Sequence, residues 1–184
     1  AIADGWQGEA PATATGSLLF VGGSFYANTA GIAWFAREVA PAIGIDTLVV
    51  GAGMDTQRAA LERFSTIKVI GRVDDLAPHY RDALAVLAPI FDGSGMKTKV
   101  AEALMHGKRV IGTSEAFTGS EGLDAGVRCD TRGEFIAAIR DLAANPPPQF
   151  DPALRALYEA HYSPQALGAR LGEILRTDRK MAPS

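Results

Sequence analysis

Short apolar runs that end in glycine recur through the first half of the chain. Leu18–Val21 ends in Gly22-Gly23, Thr47–Val50 in Gly51 and Ile67–Ile70 in Gly71. Each is of strand length, and an unbroken apolar run marks a strand buried on both faces. Between them the spacing turns helical. Ile32, Phe35, Ala36 and Val39 share one face before Pro41 limits the helix, and Ala59 to Phe64 fits a shorter one. Asp74 or Asp75 is placed to cap a further short helix. Leu84–Ile90 and Arg109–Ile111 read as a fourth and a fifth strand, and Gly126–Arg128 as a short sixth. Helices follow. Phe135, Ile136, Ile139 and Leu142 form an apolar stripe, Pro146-Pro147-Pro148 breaks the chain, and Pro152–His161 and Pro164–Arg176 are two more helical stretches.

Strands alternating with helices predict an α/β fold. The expectation is a Rossmann-like doubly wound parallel sheet of about six strands, with helices on both faces and C-terminal helices appended. Residues 1–16 read as a tail or interdomain linker, 17–176 as the folded domain and 177–184 as a tail. Such sheets bind ligands beyond the carboxyl ends of their strands. The loops that begin at Gly22, Gly51, Gly71, Asp92 and Thr113 therefore hold the candidate residues.

Composition narrows the function classes. Net charge is −3, which gives no electrostatic footprint for nucleic acid. No apolar run reaches the length of a transmembrane helix. One cysteine, Cys129, provides neither an internal disulfide nor a zinc site, and fits a reducing, cytoplasmic compartment. His79, His106 and His161 match no metal spacing, so no metal is expected. Ser114 and Ser120 have no neighbouring base and no nucleophile-elbow pattern.

The segment from Asp92 to Gly107 says most about function. Asp92-Gly93-Ser94-Gly95 forms a turn between a buried strand and a helix that runs to about His106, with Gly107 as its stop. A glycine turn brings backbone close to a ligand, and the helix start offers free N–H groups that suit phosphate. Lys97 and Lys99 add positive charge there. Glu102 is the one charge in Val100–Met105. A carboxylate within an apolar helical run needs partners. Sugar hydroxyls qualify, and a ribose presents two side by side; Lys99 or His106 on the same helix is the other option.

Taken together these residues resemble the C-terminal domain of the group 1 retaining glycosyltransferases of GT-B fold. The resemblance rests on Gly93-Ser-Gly-Met-Lys-Thr-Lys-Val-Ala-Glu-Ala-Leu-Met-His-Gly-Lys-Arg-Val-Ile-Gly-Thr-Ser114. It extends to Leu18–Gly22 with Ala33–Pro41, and to Val69-Ile-Gly-Arg-Val-Asp-Asp-Leu76. It implies that 17–176 is a nucleotide-sugar-binding domain, with Glu102 on the ribose hydroxyls. Gly93, Ser94, Gly95 and Met96 would face the sugar and diphosphate, Arg72 and Val73 the base, and Gly22 and Gly23 the phosphates. It implies a nucleotide-sugar co-substrate, a UDP-sugar ahead of a GDP-sugar, and no resident cofactor. It also implies a missing N-terminal GT-B domain that carries the acceptor chemistry, so no catalytic residue is expected in this chain.

Ser94 stands where many members of that family have a second glutamate. Gly22–Glu38 carries only Arg37 where many have a basic pair. Lys97, Lys99 or both are therefore expected to supply the charge for the diphosphate. Asn28 could add a neutral hydrogen bond there, but is expected first to cap a helix. Glu115 and Glu121 fit donor-sugar contacts or solvated loop charges equally. Trp34 and Phe35 read as core.

Other constellations are incomplete. Gly51-Ala-Gly53 lacks the third glycine of a dinucleotide fingerprint, with Thr56 in its place. Met96 interrupts the phosphate-binding loop that Gly93–Thr98 otherwise suggests. The remaining alternative is a non-catalytic doubly wound ligand-binding or regulatory domain.

Overall fold

The computed structural model describes residues 16–92 and 98–181, with side chains described as far as Gly172. The sheet has six parallel strands: β1 (Leu18–Val21), β2 (Thr47–Val50), β3 (Ile67–Gly71), β4 (Ala85–Ala88), β5 (Val110–Gly112) and β6 (Gly126–Arg128). Their order is β3-β2-β1-β4-β5-β6. The α/β, doubly wound reading of the sequence holds. In this order the crossovers run in opposite directions from β1 and β4, which makes the gap between those strands the topological switch point.

The helices are α1 (Tyr26–Glu38), α2 (Ala40–Ile43), α3 (Arg58–Leu61), α4 (Ala77–Asp82), α5 (Thr98–Met105), α6 (Arg132–Ala144), α7 (Pro152–His161) and α8 (Pro164–Met181). They cover both faces because alternate strand residues point to opposite sides. Leu18 and Phe20 of β1 pack with Ile32 and Phe35 of α1, Leu61 of α3 and Phe135 and Ile139 of α6. Leu19 and Val21 pack with Tyr80 of α4, Val100, Ala103 and Leu104 of α5 and Leu154 of α7.

Local chemistry sets several boundaries. Pro41 ends α1 and sits in the first turn of α2, where its missing N–H costs nothing. Gly107, with φ 61°, follows the last turn of α5, as its sequence position suggests. Thr131 and Glu134 form a reciprocal capping box on α6. The N-cap of α4 is Leu76 rather than Asp74 or Asp75 and carries no side-chain cap bond; Asp75, one residue earlier, accepts from the Ala77 N–H at 2.9 Å. Asn28 does not cap α1: the helix begins at Tyr26, after Phe25. The Asn28 amide instead lies one turn inside and donates back to the Gly23 carbonyl at 3.0 Å. A 3₁₀ turn, Met54–Gln57, precedes α3, which closes at Leu61 rather than Phe64. The last helix runs through Met181, beyond Arg176.

Candidate functional site

A cleft of about 380 Å³ opens at the switch point. Val21 at the end of β1 and Gly22 and Gly23 after it form one wall, with Ile90 and Asp92 after β4; Thr98, Lys99 and Glu102 of α5 also line it. Phe25, Ala27 and Asn28 at the start of α1 and Leu76 before α4 complete most of the rest. The size and the mixture of apolar wall with a few polar groups suit a small-molecule site.

The floor is backbone. A side-chain carbon on Gly22 would sit 2.8 Å from both the Lys99 Nζ and the Asn28 Nδ2, so any larger residue fills the space that glycine leaves. Gly51 plays a supporting part at the end of β2. Its added carbon would lie 2.0 Å from the Gly22 carbonyl oxygen, so only glycine lets the β1 and β2 ends come this close. The Gly22 N–H donates to the Val50 carbonyl at 2.9 Å and ties the loop to that neighbour. Across the cleft the buried Thr113 hydroxyl donates to the Ile90 carbonyl, which anchors the chain leaving β4.

Two charged side chains of opposite sign enter from α5. The Lys99 ammonium donates to the Val21 carbonyl at 2.5 Å and lies 5.1 Å above the Phe20 ring. Burial pulls its pKa down to about 8, against the opposing effect of the Glu102 carboxylate. Glu102 is half-buried. Its carboxylate accepts from the Tyr80 hydroxyl at 3.3 Å, and among the described residues it makes no ion pair within 4 Å. The option that Glu102 merely pairs with Lys99 or His106 along its own helix is thereby set aside; its partner lies on α4.

Of the residues singled out in the sequence, Gly22, Gly23, Lys99 and Glu102 meet at the cleft. Arg72 is exposed and Val73 half-buried on the loop after β3, and neither belongs to the lining, to which that loop contributes Leu76. Gly93, Ser94, Gly95, Met96 and Lys97 lie outside the described residues. Arg37 pairs with Glu38 at 2.7 Å on the surface, away from the lining. Glu121 accepts from the Gly119 N–H at 2.9 Å. Phe35 is fully buried, and Trp34 packs edge-on against Phe91 and Phe135, as the core reading expects.

Sequence reasoning missed Tyr80 and Lys108. Tyr80 is 1% exposed and stacks on His106 with ring centroids 4.2 Å apart. Lys108 is buried and donates to the carbonyls of Arg81 and Ala83 at 2.9 and 2.7 Å. Burial also brings its pKa down to about 8, with Asp82 opposing. A lysine directly after the stop of α5 gave no signal of burial, because its acceptors sit at the end of α4. Among the described residues no group of three or more His, Cys, Asp or Glu is placed to hold a metal. No described helix is long and apolar enough to cross a membrane.

Known proteins share this fold. The chain is similar to AviGT4, a glycosyltransferase involved in avilamycin A biosynthesis, with 20% identity and a TM-score of 0.67, over 92% of this chain and 53% of that one. It is similar to HepE of Anabaena, solved in complex with UDP and glucose, with 12% identity and a TM-score of 0.64, over 88% and 48% of the two chains. TarM gives 14% identity and a TM-score of 0.64, over 88% and 35%. The chain thus spans between about a third and a half of the length of these proteins. At such identities the likeness is one of fold. No curated protein sequence matches the chain significantly. A sequence family does: the profile of glycosyl transferases group 1 matches residues 15–145, from before β1 to the end of α6. With most of its length matched, this chain belongs to the group 1 glycosyltransferase family.

Proposed function

We propose that the cleft between β1 and β4 holds the nucleoside diphosphate of a nucleotide-sugar donor, and that the chain is the donor-binding, C-terminal half of a two-domain GT-B glycosyltransferase. The convergence of Lys99 and Glu102 carries this reading. They stand three residues apart on one face of α5, and both line the same glycine-floored cleft. A nucleoside diphosphate needs that pair: a cation for the phosphates and a carboxylate to accept from two adjacent ribose hydroxyls. Gly22 and Gly23 let the phosphates approach backbone, and the first turn of α5 adds its N–H groups.

In the transfer step the bond from the anomeric carbon to the diphosphate oxygen breaks and an acceptor hydroxyl takes the sugar. Negative charge gathers on the departing diphosphate, and Lys99 is positioned to stabilise it. The family resemblance assigns the sugar side to Gly93–Met96 with Lys97 and the base to backbone at Arg72 and Val73. HepE, with its bound UDP and glucose, supports a UDP-sugar ahead of a GDP-sugar. The acceptor and the base that deprotonates it come from the other half of the enzyme.

Calorimetric titration with UDP, GDP and ADP tests the reading. One of them binds, and Glu102→Ala weakens it by roughly tenfold or more, the size of a lost hydrogen bond to a charged group. Equal binding by the variant contradicts the assignment of Glu102.

A further inference from the structure

Tyr80 is buried, yet its hydroxyl reaches the one carboxylate of the cleft that is only half-buried. The ring belongs to α4, while Glu102 belongs to α5 and His106 directly follows its last residue, Met105. His106 lies flat on the ring, at 9° between planes, and the hydroxyl donates to Glu102 Oε2 at 3.3 Å. Tyr80 is therefore held from below by the side chain that follows α5 and holds one that belongs to it. A buried phenol must place its O–H on an acceptor, and the carboxylate is that acceptor. With Oε2 engaged, the carboxylate has fewer orientations open to it, and among the described residues no hydrogen bond is made to Oε1. Burial, and then the charge of Glu102, hold the Tyr80 hydroxyl well above the usual phenol range, so it stays a donor at any physiological pH.

We propose that Tyr80 is the positioning residue of the cleft, orienting Glu102 so that the site prefers a ribose to a 2′-deoxyribose. This rests on the donor-site reading of the same cleft. Discrimination by a hydrogen-bonding site requires that its acceptor be fixed before the ligand arrives. Tyr80 supplies that order without touching the nucleotide.

The test measures affinities of the chain for UDP, GDP and ADP and for their 2′-deoxy counterparts, before and after Tyr80→Phe. The substitution keeps the ring and its stack on His106, and thermal unfolding checks that the variant is folded. The expected result is a wild-type preference for the ribonucleotide that falls by roughly three- to tenfold in Tyr80→Phe, the size of one hydrogen bond, with 2′-deoxy affinity nearly unchanged. A merely structural Tyr80 lowers both affinities alike and leaves their ratio intact; that outcome overturns the inference and spares the donor site. A wild type with no ribose preference overturns both. In a Glu102→Ala background Tyr80→Phe is expected to leave the ratio where it is, and a further change there also contradicts the proposal.

Discussion

Lys99 and Lys108 show how the same residue type serves two ends within one helix–strand unit. Lys108 satisfies two carbonyls at the end of α4. Lys108→Met leaves the buried Ala83 carbonyl without this donor and is expected to cost about 1–3 kcal/mol, read from chemical denaturation. Lys99 keeps one bond to Val21 and faces the cleft. Lys99→Met is expected to weaken nucleoside diphosphate binding by about ten- to a hundredfold while leaving uridine binding alone. Equal losses for nucleoside and diphosphate would remove Lys99 from the phosphate end. The pH dependence follows from its pKa of about 8 in the free site. A bound diphosphate favours the ammonium form and raises that value. Affinity is therefore full below about pH 8 and falls above it, by up to about tenfold per unit, until the bound-state pKa is passed. Titrations that show affinity rising with pH through that range would contradict the role. Glu102 was legible as a lone carboxylate in an apolar helix. Tyr80 was not, because its meaning lies 22 residues away in sequence.

At the scale of elements, strands closed by a glycine were read to within one residue at each end. β1 and β2 match their predicted limits, and β3 gains only Gly71. The glycines mark crowding, and the clearest case is Gly51. Gly51→Ala drives a methyl group into the Gly22 carbonyl. It is expected to destabilise the fold by roughly 1–3 kcal/mol and to weaken nucleotide binding through the displaced Gly22–Gly23 loop. A variant of full stability, measured by thermal denaturation, would mean that β1 and β2 can separate freely. The capping box of α6 makes a control far from the cleft. Thr131→Ala is expected to cost about 1 kcal/mol without changing nucleotide affinity. Helix limits were harder to read. The 3₁₀ turn Met54–Gln57 carries no apolar periodicity, and α1 begins at Tyr26 without a capping side chain. The N-cap position of α1 holds Phe25, whose side chain cannot cap, and the sequence points to Asn28 instead.

Over the whole molecule, the strand order places the switch point between β1 and β4, and the candidate residues from two distant stretches of sequence meet there. The sequence pattern predicted a parallel sheet and the carboxyl ends of its strands as the ligand side. It did not predict that the loop after β3 would reach the cleft through Leu76 rather than Arg72, since loop paths depend on how α4 packs. The chain spans about half the length of AviGT4 and HepE. The account accordingly expects donor binding without sugar transfer by this chain alone, and a transfer rate measured from it would contradict the division of labour. The most direct test is the position of a bound nucleoside diphosphate in a crystal structure of the chain. The account predicts the ribose hydroxyls on Glu102 Oε1 and the phosphates beside Lys99 and Gly22. A nucleotide bound elsewhere, or one in this cleft with its ribose turned away from Glu102, would contradict it.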